Sequence, residues 1–307
     1  MRIALSALGF IGMCLVGNEP PTTSVAPDPQ ALAGMAERIR PLHAKLREPA
    51  PHDWLEAHPE PGQTFQEYIG SDPVIPRGQR HVVYIQPLGE FMEPQRNIVT
   101  LTVEYMEYCF GLPVKIKDTL PLSVIPARAQ RRHPTWGTPQ ILTKYVLHDL
   151  LRPHLPDDAA AYLAFTTSDL WPREGWNFVF GQASRSERVG VWSIHRNGNP
   201  EQDEASFRLC LMRTIKTAVH ETGHMFSMRH CTRYACGMNG SNHREESDRR
   251  PLWLCPECVA KVWWATGVDP VRRYETLADF AGRQGMEQEQ AFFEKSAQML
   301  REARRAD

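Results

Sequence analysis

The sequence has no excess of charge of either sign, and this absence argues against one large class of function. Its 35 lysines and arginines are balanced by 36 aspartates and glutamates. Proteins that bind DNA or RNA usually carry a basic patch or stripe that neutralises phosphates. We therefore expect no nucleic-acid partner.

Long apolar runs are also scarce. Beyond residue 17 no run approaches the roughly 20 apolar residues that cross a bilayer, so we expect no stable membrane span. The one notable run is residues 1–17 (MRIALSALGFIGMCLVG), where a single arginine precedes a short apolar stretch and a polar, proline-rich segment follows. This order favours a signal peptide and an exported protein. The alternatives are a buried N-terminal strand or a frayed start in a cytoplasmic protein.

What is present is typical of an ordinary folded protein, with 42% hydrophobic and 23% charged residues in 307 positions. Strands that alternate with helices over residues 80–194 predict a mixed sheet with at least one parallel crossover. The predicted strands are 81–87, 112–117, 160–167, 177–182 and 189–194, and the predicted helices are 95–110, 141–151, 206–226 (capped by Ser206) and several after Cys258. We predict a signal peptide at 1–17, a linker or lead-in at 18–78, a main domain at 79–285 and a C-terminal helix at 286–307.

Histidine is sparse, with 12 in the chain, yet three lie in the stretch VHETGHMFSMRHC at 219–231. His220 and His224 project from one helix face a single turn apart, so both can bind one zinc ion. Glu221, about 100° around the helix, can reach a zinc-bound water without being a ligand. If the helix ends near Phe226 and the chain turns back, His230 supplies a third nitrogen and leaves a position open for water. The alternative is a helix with surface histidines and a solvated glutamate.

The chain has seven cysteines, and four of them are clustered. Cys109 and Cys210 lie in helix-like apolar patterns and are predicted to be inert core thiols, and Cys14 would leave with any signal peptide. The clustered four, here called the cysteine quartet, are Cys231, Cys236, Cys255 and Cys258. Their C-x4-C and C-x2-C pairs have the spacing of a closed four-thiolate zinc site. Two disulfides are the alternative if the protein is exported.

Taken together, the pattern H-E-x-x-H…H-C-x4-C-x-M…C-x2-C resembles the archaemetzincins, a branch of the metzincin zinc peptidases. The segments WNFVFGQAS (176–184) and MNGSNHREESDRRPLWLCPEC (238–258) are also similar to that family. The resemblance extends over about residues 80–275. It implies an α+β fold: a metzincin-like catalytic domain with a mixed twisted sheet, a backing helix and an active-site helix, plus a small zinc-pinned C-terminal subdomain with helices.

The resemblance also implies roles for individual residues. His220, His224 and His230, the histidine triad, would hold a catalytic zinc, and Glu221 would be the general base. Met238 would form an apolar turn beneath the metal, and the cysteine quartet would hold a structural zinc, giving two zinc ions per chain. The strand at 176–184 resembles the edge strand that binds an extended substrate, with Phe178, Val179, Phe180 and Gly181 as the contact residues. An ordinary core strand is the alternative.

One position departs from the metzincin signature. Ser227 stands where the family has a glycine, which allows a turn with positive φ at low cost. A serine in that conformation costs about 1 kcal/mol. A structural zinc at the adjacent Cys231 offers one way to hold His230 in place despite that cost.

The charged residues after Met238 allow two interpretations. His243, Glu245, Glu246 and Asp248 form either a solvated loop, which we favour, or a third metal site. Arg249 and Arg250 either line a substrate cleft or pair with those acids.

The sequence therefore predicts a zinc metallopeptidase that acts on a peptide or protein substrate through a zinc-activated water, and we expect a monomer. One alternative is a catalytically silent zinc protein that binds peptides on the same scaffold. The intact Glu221 argues against it, because a binding module needs no base. A zinc-stabilised interaction or nucleic-acid module built on the cysteine quartet is a third possibility, which the neutral charge disfavours.

Overall fold

The computed structural model describes residues 27–306. The predicted signal peptide at 1–17, and Cys14 within it, lie outside the described residues. Among the helices of the described range, none is long and apolar enough to cross a membrane.

Eight strands form two sheets in the described part of the chain. They are β1 (Val82–Leu88), β2 (Val114–Ile116), β3 (Gln130–Arg132), β4 (Pro139–Leu142), β5 (Ala159–Thr166), β6 (Asp169–Trp171), β7 (Gly181–Ala183) and β8 (Val189–Ser193). The larger sheet has the order β2-β1-β5-β8-β7, and the smaller has the order β3-β4-β6. In the larger sheet β2, β1, β5 and β8 are parallel, whereas β7 is antiparallel to β8. All eight residues of β5 are buried, as expected for a central parallel strand covered on both faces.

Ten helices accompany these strands over residues 27–306. They are α1 (Pro29–Ile39), α2 (Trp54–Ala57), α3 (Phe65–Gly70), α4 (Glu93–Phe110), α5 (Thr143–Tyr145, continued by a π-helix at Val146–Leu151), α6 (Glu204–Met225), α7 (Arg244–Asp248), α8 (Pro256–Thr266), α9 (Pro270–Arg283) and α10 (Glu287–Ala306). Mixed sheets packed with helices confirm the predicted α+β class.

The main core lies between the larger sheet and the long helices. Helix α6 packs against α4 on one side and against β7 and β8 on the other, so α4 is a backing helix and α6 lies beside the sheet edge. The C-terminal helices α9 and α10 pair with each other, and α1 packs on α8 and α10. Leu32 of α1 and Tyr68 of α3 are buried in this same core, so the segment before β1 packs on the main body.

Three predicted boundaries were wrong. The helix predicted at 141–151 begins at Thr143, because Ile141 and Leu142 pair with β3 and β6 in the smaller sheet. The helix predicted from Ser206 begins at Glu204, because the side chain of Asp203 is the cap and accepts a hydrogen bond from Ser206 N at 2.7 Å.

The strand predicted at 177–182 is shorter and later than expected. Of the four predicted contact residues, only Gly181 lies in β7. Val179 instead forms an isolated bridge, in which its N–H donates to Leu170 O of β6 at 3.0 Å. The side chain of Phe178 stacks under the Arg196 guanidinium, and that of Phe180 under the Arg244 guanidinium. Regular pairing with β8 therefore begins only at Phe180 O, which accepts a hydrogen bond from Ser193 N at 3.0 Å.

Candidate active site

The last turns of α6 bring the predicted triad together. His220 and His224 lie one turn apart, with their Nε2 atoms 3.0 Å from each other. His230 follows the end of the helix and returns towards them, so that one nitrogen from each ring lies within 4.8 Å of the others. The spacing H-x3-H-x5-H thus yields three converging nitrogen donors, as a three-histidine metal site requires.

The far nitrogen of each ring is fixed by a hydrogen bond. His220 donates from Nδ1 to Gly237 O at 3.0 Å, and His224 donates from Nδ1 to Met228 O at 2.8 Å. His230 donates from Nδ1 to the Glu60 carboxylate at 2.6 Å. Such bonds select the tautomer in which Nε2 carries a free lone pair for a metal. Burial, together with the nearby His230, lowers the pKa of His224 to about 3, so this ring is neutral at pH 7.

The turn that returns the chain from α6 is centred on Ser227. Its φ is +62°, the left-handed conformation that glycine adopts more cheaply. Met228 N donates back to Gly223 O at 3.0 Å, as in a Schellman turn. The Ser227 hydroxyl accepts a hydrogen bond from Val74 N at 2.9 Å and donates to Arg185 O at 3.1 Å.

Met238 lies directly beneath the ligands. Its side chain is fully buried against Gly223, which lies between His220 and His224 in α6. The contact is so close that a Cβ placed at Gly223 would be 2.6 Å from the Met238 sulfur. Its carbonyl accepts a hydrogen bond from Cys231 N at 2.8 Å. The predicted Met turn therefore packs against α6 and is tied to the residue that follows His230.

Glu221 faces the cleft from α6 and lies against β7. Its side chain is 6% exposed, and burial raises the pKa of its carboxyl to about 8. A Cβ at Gly181 would lie 2.7 Å from Glu221 Oε1, so this approach of strand and carboxylate requires glycine. The carboxyl group is thus held beside the triad by the strand predicted to contact substrate.

The cysteine quartet is also brought together. The four sulfurs are buried and lie within 4.8 Å of one another, with Cys231 Sγ and Cys255 Sγ 3.6 Å apart. Four thiolates around zinc are about 3.8 Å apart, given a Zn–S bond of about 2.3 Å. All four are free cysteines rather than disulfides. Contacts from Cys236, Cys255 and Cys258 lower the pKa of Cys231, which favours the thiolate that a metal requires. Cys109 and Cys210 are buried free thiols in α4 and α6, as predicted.

A cavity of about 420 Å³ opens over the triad and Glu221. β7 forms one wall with Gly181, Gln182 and Ala183, and the loop around Asn242 and Arg250 forms another. β7 is the last strand of its sheet, so its outer edge faces this cleft without a strand partner among residues 27–306. An extended peptide can pair with such an edge.

Two contributors to the site come from the segment before β1, where the sequence pattern indicated only a lead-in. Glu60 binds His230, and the Trp54 ring meets His230 edge-on, with centroids 5.1 Å apart. Burial by itself would raise the pKa of Glu60, but the hydrogen bonds from His230 and Trp54 outweigh it and lower that pKa. Contacts between residues about 170 positions apart leave no periodic signal in a single sequence.

Of the residues predicted to form a solvated loop or a third metal site, only His243 and Glu246 belong to a cluster of metal-type donors in the described chain, where Asp53 joins them, whereas Glu245 and Asp248 lie in helix α7 outside that cluster. Asp53 accepts hydrogen bonds from Arg249 Nη2 at 2.6 Å and from His243 Nε2 at 3.2 Å. The Glu246 carboxylate accepts from the backbone N–H groups of Trp54 and Asn242. This ion-pair network joins the segment before β1 to the loop after Met238, and its oxygens are already bonded.

Comparisons with known proteins show what the chain is similar to. The sequence profile of Peptidase family M54 matches residues 111–263. Archaemetzincin-2 of Homo sapiens is 36% identical over 260 residues, which cover 74% of this chain and 71% of that protein. An archaemetzincin of Thermococcus kodakarensis is 39% identical over 109 residues, 34% of this chain and 56% of that protein. The crystal structure of an archaemetzincin from Methanopyrus kandleri is 28% identical with a TM-score of 0.49, covering 63% of this chain and 99% of that one.

Proposed function

The chain belongs to the archaemetzincins, a family of zinc metallopeptidases, and from this membership we propose that it hydrolyses peptide bonds with Glu221 as general base beside a zinc ion held by the histidine triad. The observation that carries the proposal is the convergence of three oriented histidines and one buried carboxyl in a single cleft. Family membership supports zinc as the metal.

The donor atoms fit zinc at both clusters. At the triad, each Nδ1–H is bonded to an oxygen, which leaves the Nε2 lone pair of each ring free for a metal, and one nitrogen of each ring lies within 4.8 Å of the others. At the quartet, four buried sulfurs lie at the separation of a tetrahedral thiolate cage. We propose two ions per chain: one at the triad for chemistry and one at the quartet for structure. A zinc ion in a three-histidine site supplies Lewis-acid polarisation of the substrate carbonyl and of a water molecule.

Glu221 moves the protons in this proposal. Its carboxylate accepts a proton from the attacking water and then delivers it to the leaving amine. Burial raises the pKa of this carboxyl group. A carboxyl group with a raised pKa is suited both to accept and to release a proton near neutral pH. A cation at the triad would lower that pKa again, which keeps the group ionised before the reaction.

The chain's own residues also orient the substrate. The free edge of β7, Gly181–Ala183, would pair with an extended peptide and present a carbonyl to the triad. The proposed edge begins at Gly181, the last of the four residues predicted to contact substrate, and the other three, Phe178, Val179 and Phe180, line the same cavity.

The test compares zinc-loaded wild type with Glu221→Gln, a near-isosteric change that removes the base. We expect a 100- to 10,000-fold fall in the rate of peptide hydrolysis, roughly the contribution of general acid–base catalysis. Zinc content and folding should be unchanged. Equal rates for the two proteins would overturn the role of Glu221. Peptide binding without hydrolysis by the zinc-loaded wild type would favour the silent peptide-binding alternative.

A further inference from the structure

Most of the charged residues that line the cleft over the triad are cations. In the described residues its charged side chains, apart from the histidines, are Lys144, Arg173, Lys216 and Arg250 against the single carboxyl of Glu221. A cleft whose walls carry one sign of charge concentrates ligands of the opposite sign. Two of the cations, Lys216 and Arg250, have surroundings that point to a missing anion.

Arg250 is a largely buried cation whose nearest carboxylate in the described chain is too far away for a hydrogen bond. Its side chain is 12% exposed, and its buried Nη2 has no hydrogen-bond partner within residues 27–306. The Glu246 carboxylate lies 3.9 Å away, beyond hydrogen-bond distance, and is bonded to the N–H groups of Trp54 and Asn242 instead. Burying a charge without hydrogen bonds is costly, so such a group favours an anionic partner.

Arg249, the residue before Arg250, is exposed and hydrogen-bonded to a carboxylate. Arg249 is 49% exposed and donates to Asp53 at 2.6 Å. Arg249 is therefore hydrogen-bonded within the ion-pair network, whereas Arg250 lines the cleft and lies at the edge of that network, 3.9 Å from Glu246. The sequence left both possibilities open for both residues.

Lys216 is a second cleft cation with few hydrogen bonds among the described residues. It lies on α6 one turn before His220, on the same helix face. Within the described chain its ammonium makes one hydrogen bond, to Asp248 O at a long 3.4 Å. The Asp248 carboxylate is held by both Arg213 Nε and Arg213 Nη2. Burial lowers the pKa of Lys216 to about 8, against the opposing pull of Asp248 and Glu289.

We propose that Lys216 and Arg250 form a subsite for a carboxylate of the peptide substrate, close to the scissile bond. One helical turn, about 5.4 Å, separates Lys216 from His220 along α6. An extended peptide rises about 3.3 Å per residue, so the recognised carboxylate lies within about two residues of the bond at the metal. It is either an acidic side chain or the free C-terminus. This inference rests on the proposed function, because the triad defines the position of the scissile bond.

Four synthetic pools of randomised nonapeptides test the subsite. The first contains Asp and Glu and has free C-termini; the second has amidated C-termini; the third has Asn and Gln in place of the acids; the fourth has both changes. Products of zinc-loaded wild type are quantified by mass spectrometry. A charge-assisted pair predicts cleavage of the first pool about 10 to 100 times faster than the fourth. Equal cleavage of the first and fourth pools would overturn the proposal.

The intermediate pools identify the source of the carboxylate. Slow cleavage of the second pool alone indicates a C-terminal carboxylate, and slow cleavage of the third alone indicates an acidic side chain. Either result supports the subsite.

Variants assign the preference to residues. Arg250→Gln and Lys216→Gln should each reduce the ratio of first-pool to fourth-pool cleavage towards one, and Arg250→Lys should retain part of it. Arg249→Gln is the matched control, since it removes a neighbouring charge outside the cleft, and should keep the ratio. A ratio that survives both cleft variants, or that is lost equally in Arg249→Gln, would contradict the assignment.

Binding separates this proposal from the proposed function. The zinc-loaded Glu221→Gln protein should bind the first pool more tightly than the fourth, and adding Arg250→Gln should remove the difference. If wild type cleaves no pool while this binding difference persists, hydrolysis fails and the subsite stands. If wild type cleaves all four pools equally, hydrolysis is supported and the carboxylate subsite is overturned.

Discussion

Ser227 occupies a position where the backbone favours glycine, and its hydroxyl offsets that disadvantage. The left-handed conformation costs about 1 kcal/mol for a residue with a Cβ. Each hydrogen bond of the hydroxyl, from Val74 N and to Arg185 O, contributes about 0.5–1.5 kcal/mol. The serine thereby joins the turn before His230 to two distant loops, which glycine would not do. A structural zinc at Cys231, the compensation proposed from the sequence, would act in addition to these two hydrogen bonds.

This balance predicts different outcomes for two substitutions. Ser227→Ala keeps the strained backbone and loses both hydrogen bonds, so the free energy of unfolding should fall by about 1–2 kcal/mol. Ser227→Gly also loses the bonds but relieves the strain, so it should lie within about 1 kcal/mol of wild type. Urea denaturation of the zinc-loaded proteins measures both. A glycine variant less stable than the alanine variant would contradict this account.

Glu60 is the second residue whose role depends on a contact distant in sequence. Its carboxylate fixes the ring of His230, so Glu60→Gln should weaken zinc binding at the triad about 10- to 100-fold. Competition with a chromophoric chelator measures this affinity. The matched control is Glu56→Gln, an exposed glutamate four residues earlier that bonds only to His52 N in the described structure. Equal affinities for wild type and Glu60→Gln would exclude a positioning role.

At the scale of secondary-structure elements, the approach of β7 to α6 determines where the Glu221 carboxyl lies. The strand passes so close to Glu221 that Gly181 has no room for a side chain. A displacement of about 1 Å at a catalytic group can cost about 100-fold in rate, so this contact is part of the geometry on which the proposed role of Glu221 depends.

Gly181→Ala should therefore reduce peptide hydrolysis by about 100-fold with little change in zinc content, because Glu221 moves while the triad stays in place. The control is Gly34→Ala in α1, where an added Cβ meets nothing within 4 Å. Steady-state kinetics and metal analysis of both variants test the prediction. Full activity in Gly181→Ala would show that the carboxyl tolerates displacement.

The elements that the sequence predicted well are those long enough to show a period. Helix α4 and strand β5 were each located within a few residues. The strands β3 and β6 were missed, since three residues cannot display an alternation. Ile141 and Leu142 were assigned to the following helix because short apolar runs suit either structure, and their pairing in the smaller sheet decides the outcome.

At the scale of the whole molecule, the histidine triad and the cysteine quartet are joined by the chain itself and by hydrogen bonds. His230 and Cys231 are adjacent, and Cys231 N donates to Met238 O beneath the triad. The Asn239 side chain adds hydrogen bonds to Cys231 O at 2.7 Å and from Cys236 N at 2.8 Å. Loss of one cluster should therefore disturb the other.

Cys258→Ser tests this connection. The variant should lose one zinc per chain, fall in stability by several kcal/mol and bind zinc more weakly at the triad. Cys210→Ser, a buried cysteine in α6 outside the quartet, is the control and should keep both ions. Thermal unfolding and metal titration provide the measurements. Unchanged stability of Cys258→Ser would indicate that the quartet holds no structural ion.

Local motifs were sufficient to predict that the triad, Glu221 and the quartet form clusters, because the members of each lie close together along the chain. They could not locate Trp54 and Glu60, which meet the site only after the segment before β1 packs on the loop after Met238. The ion-pair network of Asp53, His243 and Arg249 holds these two segments together, and it joins residues about 190 positions apart in the sequence. Its charged residues look like a solvated surface until the fold brings them together.

The most direct test of the central claim is anomalous X-ray scattering at the zinc edge from crystals of zinc-loaded protein. The account predicts two peaks per chain. One should lie about 2.0–2.1 Å from nitrogens of His220, His224 and His230, and the other about 2.3 Å from the sulfurs of the quartet. A structure in which no peak lies within bonding distance of all three histidines would contradict it.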